Sequence, residues 1–234
     1  FGQRKLPGNR QRVTSSGSQQ FAERSAVNAR FNIDRDFGLM AYYSDNIGNM
    51  HYYLKGAVST GEGRNIINTD ENLAYTGRLE LLPLGRFTNK GDFFEGDLER
   101  EKTPKLSIGG TFSNNFGAFR LNGQRGDFAR ETRDITSIFA DMILKYNGFA
   151  LTAEYANKTV ENPIIYQTGW LPEEIFYTGM GINTQLSYIF RNDWEIAGRF
   201  SMIKPDKSKL EERFNDEYYF VLGTTKYISK HKTK

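Results

Sequence analysis

The chain has 234 residues, a formal net charge of +3 and no cysteine. The missing thiols exclude disulfides, thiolate catalysis and zinc–thiolate sites, and so small a charge does not support a nucleic-acid partner. Mean hydropathy is −0.61. No apolar run reaches the roughly 18 residues that a transmembrane helix needs, yet a sheet that crosses a membrane keeps half of its side chains polar.

Residues 1–35 are basic. Arg4, Lys5, Arg10, Arg12, Arg24, Arg30 and Arg35 face only Glu23 and Asp34, and Thr14-Ser15-Ser16-Gly17-Ser18 has the composition of a loop. The expectation is a strand end followed by a basic loop folded inward. Phe1 falls in mid-pattern, and the run Lys230-His231-Lys232-Thr233-Lys234 reads as a turn entering another strand. The sequence therefore reads as the middle of a longer protein.

From residue 36 to 234 apolar and polar side chains alternate with the period of two that marks a β-strand. Residues 36–44 put Phe37, Leu39, Ala41 and Tyr43 on one face. Residues 50–60 put Met50, Tyr52, Leu54 and Val58 outward, with His51, Lys55 and Ser59 inward. Residues 74–84 place Tyr75, Leu79 and Leu81 out against Thr76, Arg78 and Glu80, and 105–113 place Leu106, Ile108 and Phe112 out. Two ten-residue stretches then flank Asn147-Gly148, the strongest short hairpin signal. Residues 179–190, 194–203 and 217–228 follow; the last is a poorer match, with aromatics on both faces. Strands of this length suit a tilted bilayer crossing of roughly nine to eleven residues, against about five or six for an ordinary strand.

The connections alternate in length. Those at 45–49, 147–148 and 191–193 are tight, whereas 61–73, 114–135, 159–178 and 204–216 are long and polar. Short turns on one side and long loops on the other are how membrane barrels are built. Residues 85–104 break the rule, and either extend their neighbours or form a loop of their own. The expected fold is all-β, a transmembrane antiparallel β-barrel with about nine central strands covered here. Eighteen Phe and 13 Tyr fit aromatic girdles at two interfaces.

The inward positions carry Lys55, Arg78, Lys145, Arg199 and Lys226, together with Glu80, Asp141, Glu154 and Glu195. Fixed charges in a water-filled constriction select ions, and basic rings favour anions; the same charges also suit the solvated side of any sheet. The basic segment 1–35 is the stronger selectivity candidate, with lipopolysaccharide phosphates as an alternative partner. Ile196 is expected against lipid and Ser201 in the lumen, so arginine should be costly at the first and tolerated at the second. Catalysis finds no footing: His51 and His231 are the only histidines, and no G-x-S-x-G or H-E-x-x-H occurs. No enzyme, metal or cofactor is expected. Tyr52, Tyr53 and Trp194 read as interface aromatics or as a sugar-stacking surface.

Several segments together resemble the phosphate-selective porin O and P family, in its Bacteroidetes branch. They are Gly2-Gln3-Arg4-Lys5-Leu6-Pro7, Phe21-Ala22-Glu23-Arg24-Ser25, Arg35-Asp36-Phe37-Gly38, Gly61-Glu62-Gly63, Gly96-Asp97-Leu98-Glu99, Pro104-Lys105-Leu106-Ser107-Ile108-Gly109 and Trp194-Glu195-Ile196-Ala197-Gly198-Arg199. The Glu217-Tyr218 strand ending Lys226-Tyr227-Ile228 completes the ordered set. The resemblance implies an outer-membrane barrel of a Gram-negative bacterium with about 16 to 18 strands, usually a homotrimer, passing small, phosphate-like anions through an arginine- and lysine-lined constriction. It carries over to Arg24, Arg35 and Lys5. Two rivals stand beside it. A plugged barrel would serve as a subunit of an outer-membrane secretion or assembly complex, and loops filling the lumen would favour it. A soluble carbohydrate-binding β-sandwich would show shorter strands.

Overall fold

A computed structural model describes residues 1–66 and 72–228. His231 and the expected turn at 230–234 lie outside the described residues, as does part of the loop expected at 61–73. The strands are β1 (Gly2–Lys5), β2 (Arg35–Ile47), β3 (Met50–Ser59), β4 (Ala74–Leu82), β5 (Lys105–Arg120), β6 (Phe128–Tyr146), β7 (Phe149–Val160), β8 (Ile164–Ile165), β9 (Glu174–Ile175), β10 (Gly179–Ile189), β11 (Trp194–Pro205) and β12 (Glu217–Lys226). All but β8 and β9 form one ten-stranded sheet in chain order, and those two pair with each other. Every pairing is antiparallel. Among the described residues the sheet is open, with β1 and β12 at its edges, and the second broad layer of a sandwich is absent.

The sequence pattern explains the register. Asn147 (φ 48°) and Gly148 (φ 90°) both take left-handed conformations, as a two-residue primed turn requires. A Cβ on Gly148 would stand 2.5 Å from the Ile189 carbonyl oxygen, so glycine is needed for packing as well. From this turn β7 alternates half-buried and buried residues along its whole length. The expected facing holds for His51, Arg78, Glu80, Asp141, Lys145, Glu154, Glu195 and Arg199, which lie buried on the inner face; Lys226, expected inward, instead pairs with Trp194 on the outer face.

The outer face is apolar in rows. Leu106, Leu144, Leu151 and Leu186 are cross-strand neighbours on four strands, and Ile108, Met142 and Ala153 form the next row. Tyr146, Phe149 and Tyr188 close the band at the short-turn end. At the long-loop end Phe112 and Ile138 are followed by a polar row, Asn114, Thr136 and Thr159. The band covers about nine residues of β6, or roughly 30 Å of strand; a tilt of about 40° would project that to near the 25 Å typical of a barrel's apolar belt.

The strand end expected in 1–35 is β1, which pairs with β2 and brings the sheet to ten members; two further expectations change. The loop expected at 114–135 shrinks to 121–127, because β5 and β6 continue past the apolar band where polar and apolar residues mix on both faces and strict alternation is lost; the pairing shifts register near Gly117. Residues 85–104 do not extend their neighbours. They fold onto the inner face, where Lys145 Nζ donates to the carbonyls of Gly91 (2.8 Å) and Phe94 (2.9 Å).

Residues 6–34 cover the rest of that face. Two short helices, α1 (Arg10–Val13) and α2 (Ala26–Phe31), mark the segment. The Ser25 side chain caps α2 by accepting from Asn28 N at 3.1 Å. Leu6, Val27, Phe31 and Ile33 of this segment join Ala57, Phe139, Ala156 and Ile203 of the wall in the main hydrophobic core.

Candidate functional site: the seam between wall and inner segment

The inner face is a wall of polar side chains, and burying them requires partners. Residues 6–34 supply many of these. Asp141 on β6 accepts from Arg10 Nε at 2.6 Å and from Arg78 Nη1 at 2.6 Å. Arg78 Nε donates to Glu80 at 2.7 Å, and Lys55 pairs with the same carboxylate. Arg10 also donates to Ser107 Oγ (2.8 Å) and to the Asp92 carbonyl (3.1 Å), which ties both inner segments to the wall. Burial works against the Arg10 charge, but Asp141 and Glu80 outweigh it and raise its pKa above the ordinary value. Gly109 makes room: a Cβ there would meet Arg78 Nη2 at 2.5 Å.

Further along the wall the partners are glutamates and glutamines. Glu154 accepts from the backbone N–H of Gln11 at 2.9 Å, and Glu95 accepts from that of Gln20, also at 2.9 Å. Gln20 Nε2 donates to Glu195 at 2.6 Å. Gln185 links Gln11 (3.0 Å) and Glu95 (3.1 Å). Arg199 donates to Gln185 (2.8 Å) and to the Glu23 carbonyl (2.8 Å), with Phe21 beneath its guanidinium.

Between β1–β4 and the start of the inner segment lies a cavity of about 570 Å³. Arg4, Lys5, Arg35, Lys55 and Arg78 line it, with Tyr42 and Phe93. Lys55 and Arg78 are neutralised by Glu80 and Asp141. Lys5 Nζ donates to the Arg12 carbonyl at 3.1 Å. Among the described residues no carboxylate pairs with Arg4, Lys5 or Arg35. Arg24 stands nearby and donates to the carbonyls of Gln11 and Thr14, each at 3.0 Å. Its burial and the Arg12 charge lower its pKa. Asp34 holds Arg12; burial would raise its carboxyl, but the Arg12 hydrogen bond and charge prevail and lower it.

Of the residues singled out in the sequence, Lys5, Arg35, Lys55 and Arg78 thus share one cavity. Arg24 stands behind it, and Lys145 and Arg199 are buried beneath the inner segments. Arg4 belongs with the cavity too, and its place directly before Lys5 on a strand edge is the one hint the sequence offers. The anchors Gln11, Gln20 and Glu95 carry no motif and could not be picked out. Ser201 corrects an expectation: it is 1% exposed and donates to Asn183 Oδ1 at 2.9 Å, so no open lumen awaits a larger side chain there. His51 is buried, with Nδ1 2.9 Å from Asn46 Oδ1 and its ring edge-on to Tyr53. Trp194 stays half-exposed on the outer face with Lys226 over its ring. No family model, curated protein or solved structure matches the chain.

Proposed function

We propose that the chain forms the central wall of an outer-membrane β-barrel porin that lets small anions diffuse past an inward-folded segment. One observation carries the reading: the cavity between β1–β4 and residues 5–13 gathers Arg4, Lys5 and Arg35, with no carboxylate paired to them among the described residues. Uncompensated fixed cations at a constriction attract anions and repel cations. The outer face supports the membrane setting. Its leucine-rich rows end in aromatics at one side and in polar residues at the other, as a lipid-facing belt does. The open edge strand β12 exposes Phe220 (79%) and Leu222 (87%) on one face and Tyr219 and Val221 on the other. A barrel of about 16 to 18 strands, closed by further strands of a longer chain, would cover that edge. The full protein would then be a porin of a Gram-negative outer membrane, in contact with lipopolysaccharide and assembled as a homotrimer, passing phosphate-like solutes.

A second reading has its own observation. The inner segments bury the lumen-facing charges so completely that the barrel would be a closed subunit of a larger secretion or assembly complex. Single-channel recording of the complete protein in a planar bilayer separates the two. Discrete steps with an anion-directed reversal potential in a salt gradient are expected. Lys5→Glu with Arg35→Glu should move that potential toward cations, while silence from folded, inserted protein would favour the closed subunit.

A further inference from the structure

Just beyond the apolar band, on the long-loop side of the outer face, a groove of about 680 Å³ crosses the ends of β5, β6 and β7. Asn114, Thr136 and Thr159 are its floor, one cross-strand row deep. Asp134, Arg133 and Glu161 form its rim. Its position matters because the rows below it are leucine, isoleucine and methionine. In the membrane reading, on which this inference rests, the groove opens toward the headgroups of the leaflet on the long-loop side.

The chemistry of the lining selects among headgroup parts. Phosphate is held by cations or by several converging N–H donors, and the groove's cation is already committed within the protein. Each nitrogen of the Arg133 guanidinium already donates within the protein, to Glu131 (2.7 Å), the Asn162 carbonyl (2.8 Å) and the Thr132 carbonyl (2.8 Å). Two carboxylates, Asp134 and Glu161, repel anions from the rim. Hydroxyl-rich ligands meet the opposite welcome. Asp134 spends Oδ1 on the Gly117 N–H at 2.8 Å, and Oδ2 can still accept. Thr136 donates to Asn114 Oδ1 at 3.1 Å, which leaves its own oxygen as an acceptor and Asn114 Nδ2 as a donor. Closely spaced acceptors and donors of this kind match the vicinal hydroxyls of a sugar.

We propose that this groove binds a saccharide, supplied by the headgroup of a glycolipid in the leaflet around the barrel. The test uses the full-length protein reconstituted in vesicles, with insertion checked by protease protection. Its probe is a rough lipopolysaccharide whose sugars stop at the core, offered in mixed micelles. Thr136→Val with Thr159→Val removes the hydroxyls while keeping shape and strand preference, and should weaken retention about tenfold, the loss expected for two hydrogen bonds. Competition by the delipidated core oligosaccharide alone would support the saccharide site and assign it to free sugars rather than lipid; lack of competition would assign it to the anchored headgroup. Equal retention by wild type and variant, or displacement by millimolar inorganic phosphate, would overturn the site while leaving the membrane reading intact. Failure to insert would remove the membrane reading itself, and this site with it.

Discussion

Asp141 is the residue on which most of the seam converges, since it faces Arg10 and Arg78 together in a buried setting. Replacing it with alanine leaves two guanidinium groups without their shared anion. Removing one partner from a buried ion pair typically costs about 3–5 kcal/mol. We expect Asp141→Ala to lower resistance to denaturant by an amount in that range, read by urea unfolding of the reconstituted protein. Glu80 still pairs with Arg78 and Lys55, so the lower end is the better expectation. Asp34 offers a second test with a defined sign. Its folded pKa lies below the unfolded value, so its contribution is present at neutral pH and is lost as the pH falls below about 4. A melting-temperature series from pH 7 to pH 3 should fall in wild type and fall less in Asp34→Asn.

At the level of strands, facing is the property that local sequence determines. The alternation around Asn147-Gly148 predicts which side of β6 and β7 is buried, because a slip of one residue would turn every side chain over. Ile196 tests it: 58% exposed on the outer face, it should cost about 2–4 kcal/mol as arginine if the belt faces lipid, measured by the same unfolding assay. Ser201→Arg should now also destabilise, for a different reason, since Ser201 is packed beneath the inner segment rather than facing water. Strand ends were less legible. β5 and β6 run on through Asn114–Arg120 and Phe128–Ile135, where polar and apolar residues mix on both faces and strict alternation is lost. β1 is short and carries only Gly-Gln-Arg-Lys, a composition equally at home in a loop; its strand state comes from pairing with β2. The inner course of residues 85–104 was not legible at all, because it depends on Lys145 and Gln185, more than forty positions away.

Across the whole molecule charge is sorted by place rather than by amount. A net charge of +3 hides a basic pole at the β1–β4 cavity and a run of carboxylates, Glu95, Glu154 and Glu195, against the middle of the inner segment. The basic cluster at residues 1–35 was readable from composition. Its sorting into cavity-lining and seam-holding residues was not, since Arg10 and Arg35 look alike in sequence and differ only in whether an acid waits opposite.

The seam also dictates an order of events. Gln20 holds Glu195 across a sequence separation of 175, and Arg30 holds Glu217 across 187. The inner segment, which precedes the wall in the chain, therefore finds some of its final partners on β11 and β12. Contacts of such span form late, and until β11 and β12 are paired Gln20 lacks Glu195 and Arg30 lacks Glu217. During assembly residues 6–34 therefore lack part of their final partner set, although Arg12 has Asp34 within the segment itself. Entry of this segment is then the closing step of folding, and the buried charges that hold it are what make that step hard to reverse.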